Sequence, residues 1–69
     1  MHFNPQKAKL LIAEKELTLD RLSKNADMPL ITLSQVIRGN RNPTLRTIGK
    51  IARGLGVSVE QLVDQEATQ

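Results

Sequence analysis

Residues 17–45, LTLDRLSKNADMPLITLSQVIRGNRNPTL, decide how this chain folds. Two short segments with apolar residues at helical spacing flank the break Asp27-Met28-Pro29, and a polar loop follows the second. Thr18 precedes Leu19, Leu22 and Ala26, where its hydroxyl can cap the free N–H groups of a first helical turn. Pro29 disfavours helical geometry at Met28 and presets the backbone of whatever begins there. A helix over residues 29–38 then carries Leu33, Val36 and Ile37 on one side, and Gly39 ends it by taking the left-handed conformation.

At about 100° per residue, the side opposite those three presents Ile31, Ser34, Gln35 and Arg38, with Leu30 and Thr32 at its borders. This outward face has no acid, one amide, one hydroxyl and a terminal arginine. Such a face suits the major groove, where glutamine pairs bidentately with adenine and serine contacts either pair type. It also suits plain solvent exposure. The neighbourhood favours DNA: two short helices joined by a tight turn, the second followed by Asn and Arg, match a geometry in which one helix crosses the phosphates and the next enters the groove. Arg38, Asn40, Arg41, Asn42, Thr44 and Arg46 then clamp phosphates, giving affinity without sequence information.

Outward from this stretch, Asn4 with Pro5 caps a first helix over residues 5–16. Thr44 caps a fourth helix with Leu45, Ile48, Ile51, Ala52 and Leu55 on one stripe and Gly56 as its stop, and its free N–H groups favour an anion. Ser58 and Gln61 form a capping box for a fifth helix over residues 59–64. The expectation is an all-α, five-helix domain over residues 1–65 with a frayed tail at 66–69.

Composition narrows the function. The chain has 69 residues, 39% of them hydrophobic, with Phe3 as the sole aromatic, so the core is aliphatic. A chain this short buries little surface, which makes a homodimer an expectation. Val59, Leu62 and Val63 are candidates for that surface, or for packing on the fourth helix. The net charge is +3, and no acid occurs between Asp27 and Glu60 although Arg38, Arg41, Arg46, Lys50 and Arg53 do. One basic face and an anionic partner follow. With no cysteine and a single histidine, His2, no metal or cofactor is expected. No apolar run approaches the roughly 18 residues of a membrane span, so the expected location is the cytoplasm. Paired carboxylates, a His or Cys nucleophile arrangement and a phosphate-cradling Gly-rich loop are all missing, which argues against an enzyme.

The residues Leu17-Thr18, Leu22, Ala26, Thr32, Arg38-Gly39, Arg41-Asn42-Pro43-Thr44-Leu45, Ile51-Ala52 and Leu55-Gly56-Val57-Ser58 carry a resemblance. Over residues 17–63 the chain resembles the Cro/Xre-type phage-repressor helix-turn-helix family. The resemblance implies a five-helix lambda-repressor-like fold and binding of operator DNA as a dimer to repress or activate promoters. It also implies bases read from Leu30, Ile31, Thr32, Ser34 and Gln35, and phosphate contacts that include Thr18. Relatives often pair an Arg in the first helix with a Glu late in the third. Here Ile12 and Ile37 stand at those positions, which implies an apolar contact and a cost on the order of 3 kcal/mol for Ile12→Arg. Asp27 replaces a frequent glycine, and Pro29 a frequent Ser or Thr cap. Leu30 and Ile31 replace polar readers, so Ile31 meets either thymine methyl groups or a protein. The alternative function is a protein-interaction module, an antitoxin bound to a toxin partner or a coactivator.

Overall fold

The computed structural model describes residues 2–64 of the chain. It contains β1 (His2–Phe3), α1 (Pro5–Glu14), α2 (Leu19–Asn25), α3 (Leu30–Ile37), α4 (Leu45–Leu55), a 3₁₀ turn (Val59–Gln61) and β2 (Val63–Asp64). The tail at 66–69 lies outside the described residues. Among the described residues there are thus four α-helices and not five. The capping-box geometry expected of a fifth helix is present, with the Ser58 N–H donating to Gln61 Oε1 at 3.1 Å, yet it starts only one 3₁₀ turn. The chain then extends, because β2 pairs antiparallel with β1, Phe3 opposite Val63 and His2 opposite Asp64. Pairing two chain segments satisfies backbone groups that another helical turn would have satisfied internally. The fold is all-α apart from this ribbon.

Each long helix begins as its capping residue requires. The Asn4 side chain accepts from the Gln6 and Lys7 N–H groups, Thr18 from Arg21, and Thr44 from Thr47. Pro29 caps α3 without a side-chain bond, which puts it one position outside the helix expected to include it. Asn4 does a second job: its Nδ2 donates to both Asp64 carboxylate oxygens at 3.1 and 3.0 Å, while Lys7 Nζ donates to the Val63 carbonyl at 2.8 Å. The Asn4 bond, then the contact of Lys7 Nζ with Asp64 Oδ1 at 3.3 Å, hold the Asp64 carboxyl below its ordinary pKa. The start of α1 is thereby tied to the end of the ribbon.

The helix ends share one device. In each, the N–H two residues beyond the last turn reaches back to a carbonyl five residues earlier: Leu17 to Ile12, Met28 to Ser23, Asn40 to Gln35 and Val57 to Ala52. A residue with positive φ precedes each of those donors: Glu16 at 55°, Asp27 at 56°, Gly39 at 81° and Gly56 at 75°. This is the Schellman closure, normally accompanied by an apolar contact from the donor residue. Leu17, Met28 and Val57 supply it, each packed against the core. Asn40 does not, and the chain leaves α3 into solvent there.

The core comprises Ala8 of α1, Leu22 of α2, Leu33, Val36 and Ile37 of α3, Ile48, Ile51, Ala52 and Leu55 of α4, and Leu62 and Val63. The helix α2 packs on both α3 and α4, and α1 packs on α3. Ile37 belongs to this cluster and Ile12 lies half-buried against it, on the two helices where relatives place a charged pair. Leu45 departs from expectation: it is 67% exposed at the first turn of α4, while Ile48, Ile51, Ala52 and Leu55 of the same stripe are buried.

Two glycines of α4 give a prediction of opposite signs. A methyl at Gly49 would meet nothing within 4 Å, so Gly49→Ala should gain the roughly 1 kcal/mol of helix propensity. A methyl at Gly54 would lie 3.0 Å from the Ala26 nitrogen and 3.1 Å from Leu22 Cδ1, where α2 crosses. Overpacking of that kind costs about 1–3 kcal/mol, enough to outweigh the propensity gain. Urea denaturation should show Gly49→Ala above the parent and Gly54→Ala below it; equal gains would refute the close approach.

Candidate nucleic-acid interface

The positions of the outward residues on α3 follow from which of its neighbours are buried. With Leu33, Val36 and Ile37 in the core, Ile31 is 73% exposed and Leu30 45% exposed, Gln35 and Arg38 are open, and Thr32 and Ser34 are half-buried at the margins. Leu30 and Ile31 are adjacent and together form a small apolar patch on this face, whereas Leu10 and Leu45, open to a similar degree, stand singly elsewhere. Among the described residues, no side-chain hydrogen bond engages Thr32, Ser34, Arg38, Asn40, Asn42 or Arg46. Their polar groups are available to a partner.

The loop after α3 is shaped by Gly39. Its left-handed backbone turns the chain back over the last turn of α3, with the Gly39 N–H bonded to the Val36 carbonyl at 3.0 Å and the Asn40 N–H to the Gln35 carbonyl at 2.9 Å. The reversal brings Arg41 back to α3, where its Nη1 donates to Gln35 Oε1 at 3.2 Å. Sequence reasoning placed Arg41 among phosphate contacts and Gln35 among base readers; the two side chains meet. No spacing rule reveals such a pair, because it joins a helix to the loop beyond its own cap.

Beyond the loop, Thr44 caps α4 through the Thr47 N–H, which leaves the Leu45 and Arg46 N–H groups of an 11-residue helix without an internal partner. Arg46 stands on that first turn. Lys50 and Arg53 continue the stripe opposite the core, about 6 and 10 Å further along at 1.5 Å per residue. Among the described residues, the ion pairs are Lys7–Asp64 and Lys24–Asp20, so no carboxylate neutralises Arg38, Arg41, Arg46, Lys50 or Arg53. The positive charge therefore runs from the end of α3 through the loop and along α4. At the start of α2, the Thr18 oxygen accepts from the Arg21 N–H at 3.1 Å, and its own hydroxyl proton remains free to donate.

Val59, Leu62 and Val63, candidates for a dimer surface or for packing on the fourth helix, turn toward the core. Leu62 and Val63 are 0% and 1% exposed, and Val59 is half-buried against the same cluster. The ribbon folds the first two inward, so their side chains are spent on the core and none of their surface remains for a second copy.

Two short helices joined at a tight turn through Asp27 and Pro29, the second with an open acid-free face and a basic loop behind it, define a helix-turn-helix domain. A family model described as helix-turn-helix matches residues 7–62, and the chain belongs to the Cro/Xre-type helix-turn-helix family of DNA-binding regulators. No curated protein and no solved structure gives a match. Among the described residues, no helix is long and apolar enough to cross a membrane.

Proposed function

We propose that this protein is a transcriptional repressor that binds a pseudo-palindromic operator in the cytoplasm as a homodimer. Each copy lays its α3 in one of two successive major grooves, about 34 Å apart. The observation that carries this reading is the open α3 face, Ile31 at 73% exposure beside an exposed Gln35, together with cations that no carboxylate among the described residues neutralises. Leu30, Ile31, Thr32, Ser34 and Gln35 face the bases, with Ile31 against thymine methyl groups. Thr18, Arg38, Asn40, Asn42, Thr44 and Arg46 hold phosphates, aided by the first N–H groups of α4.

Selection of bound sites from random duplexes, followed by titration of variants, tests the reading. Gln35→Ala should weaken the selected site by about 1–3 kcal/mol and leave random DNA unaffected. Arg46→Ala should weaken both and lower the salt slope by about 1. Failure to retard any duplex at low salt overturns DNA binding. Sedimentation across a concentration series tests the homodimer, whose contacts have to come from residues other than Leu62 and Val63.

The exposed pair Leu30 and Ile31 also supports a second reading, a protein-interaction module in which a toxin or other regulator covers that apolar surface. Under it, Ile31→Ser abolishes partner capture while duplex binding stays absent throughout.

A further inference from the structure

We propose that Gln35 and Arg41 act as one reading unit and that the base it takes is guanine. The inference rests on α3 entering the major groove, and it starts from the 3.2 Å bond donated by Arg41 Nη1 to Gln35 Oε1.

A guanidinium has only donors, so the atom of Gln35 that faces Arg41 must be its oxygen, and Nε2 is turned the other way. The bond thus fixes which way the amide points. A glutamine reads adenine by accepting from the N6 amine through Oε1 while Nε2 donates to N7. Here one lone pair of Oε1 is engaged by a cation, and the remaining N–H groups of that cation lie beside it. An adenine amine brought to this oxygen meets donors facing donors. Guanine presents O6 and N7 to the same groove, both acceptors. The Nε2 hydrogens of Gln35 and the unused N–H groups of Arg41 match that pattern and have no competing carboxylate among the described residues.

The backbone holds the pair together. Arg41 is two residues past Gly39, whose φ of 81° returns the chain over α3, and the Asn40 N–H bond to the carbonyl of Gln35 itself at 2.9 Å closes the loop on the same residue. Arg41 is therefore a positioning residue for the amide as well as a donor in its own right.

Two measurements test the unit, the first without DNA. In the free protein, Arg41→Ala should shift the side-chain amide resonances of Gln35 and leave those of Gln6 and Gln61 in place; an unmoved Gln35 signal overturns the pairing. In site selection, the parent should enrich guanine at one position of each half-site. Arg41→Ala should cut the preference for guanine over adenine there by roughly fivefold to a hundredfold and spare the other positions, while Gln35→Ala erases it. Adenine selected by the parent at that position, or uniform weakening of all sites by Arg41→Ala, overturns the inference and leaves the operator-binding reading intact. If the parent enriches no duplex at all, that broader reading falls and takes guanine recognition with it.

Discussion

Ile37→Glu is expected to strip the domain of most of its stability at neutral pH. Ile37 is 4% exposed within an aliphatic cluster, and a carboxylate placed there without a partner costs about 3–5 kcal/mol. A domain of this length is held by only about 3–10 kcal/mol in total, so one such charge consumes most of its stability. Ile12→Arg should be milder, near 1–2 kcal/mol and below the 3 kcal/mol expected for full burial. Ile12 is half-buried, and a guanidinium on a long stem reaches water from such a site. If the two positions face each other across α1 and α3, the double variant Ile12→Arg with Ile37→Glu recovers part of the loss, and a double-mutant cycle reads the coupling. Circular dichroism melting of the four proteins is sufficient. An Ile37→Glu single variant that melts with the parent would contradict the burial.

The second large effect concerns Leu62. Its side chain is wholly buried, and its carbonyl accepts the Asn4 N–H at 2.8 Å, so it sits where the chain's two ends are joined. Leu62→Ala should cost about 2–5 kcal/mol, the range for truncating a buried leucine when the surroundings collapse only partly. The loss should be independent of protein concentration. A side chain in a dimer interface would behave otherwise: its truncation would shift the association constant, so that the size of the loss relative to the parent would vary with concentration. A concentration-dependent loss would return Leu62 to the interface.

Much of the helical framework was legible because its signals are local. Asn4, Thr18 and Thr44 cap the helices they precede, and Gly39 and Gly56 close α3 and α4, since a cap or a left-handed turn is settled within about four residues of chain. The open face of α3 was legible for a related reason: with Leu33, Val36 and Ile37 inward, helical geometry alone turns Ile31, Gln35 and Arg38 outward.

Tertiary structure settled what these short-range rules leave open. Glu16 and Asp27 take the left-handed conformation without being glycine, because burying Leu17 and Met28 on the core requires the same closure that Gly39 and Gly56 make easily. Val63 and Asp64 extend where a capping box promised helix, because a strand from the other end of the chain is there to pair with them. Leu45 lies open at the start of a stripe whose other members are buried, and Gly54 is confined because α2 crosses it. The Gln35–Arg41 bond belongs with these, the product of a chain reversal that returns a loop arginine to its own helix. The amino-acid sequence alone therefore determined where α1, α2 and α4 start and which side of α3 meets the outside. Which residues meet across the fold depended on packing, since contact between distant surfaces is governed by the whole arrangement and leaves no mark in the spacing of neighbours.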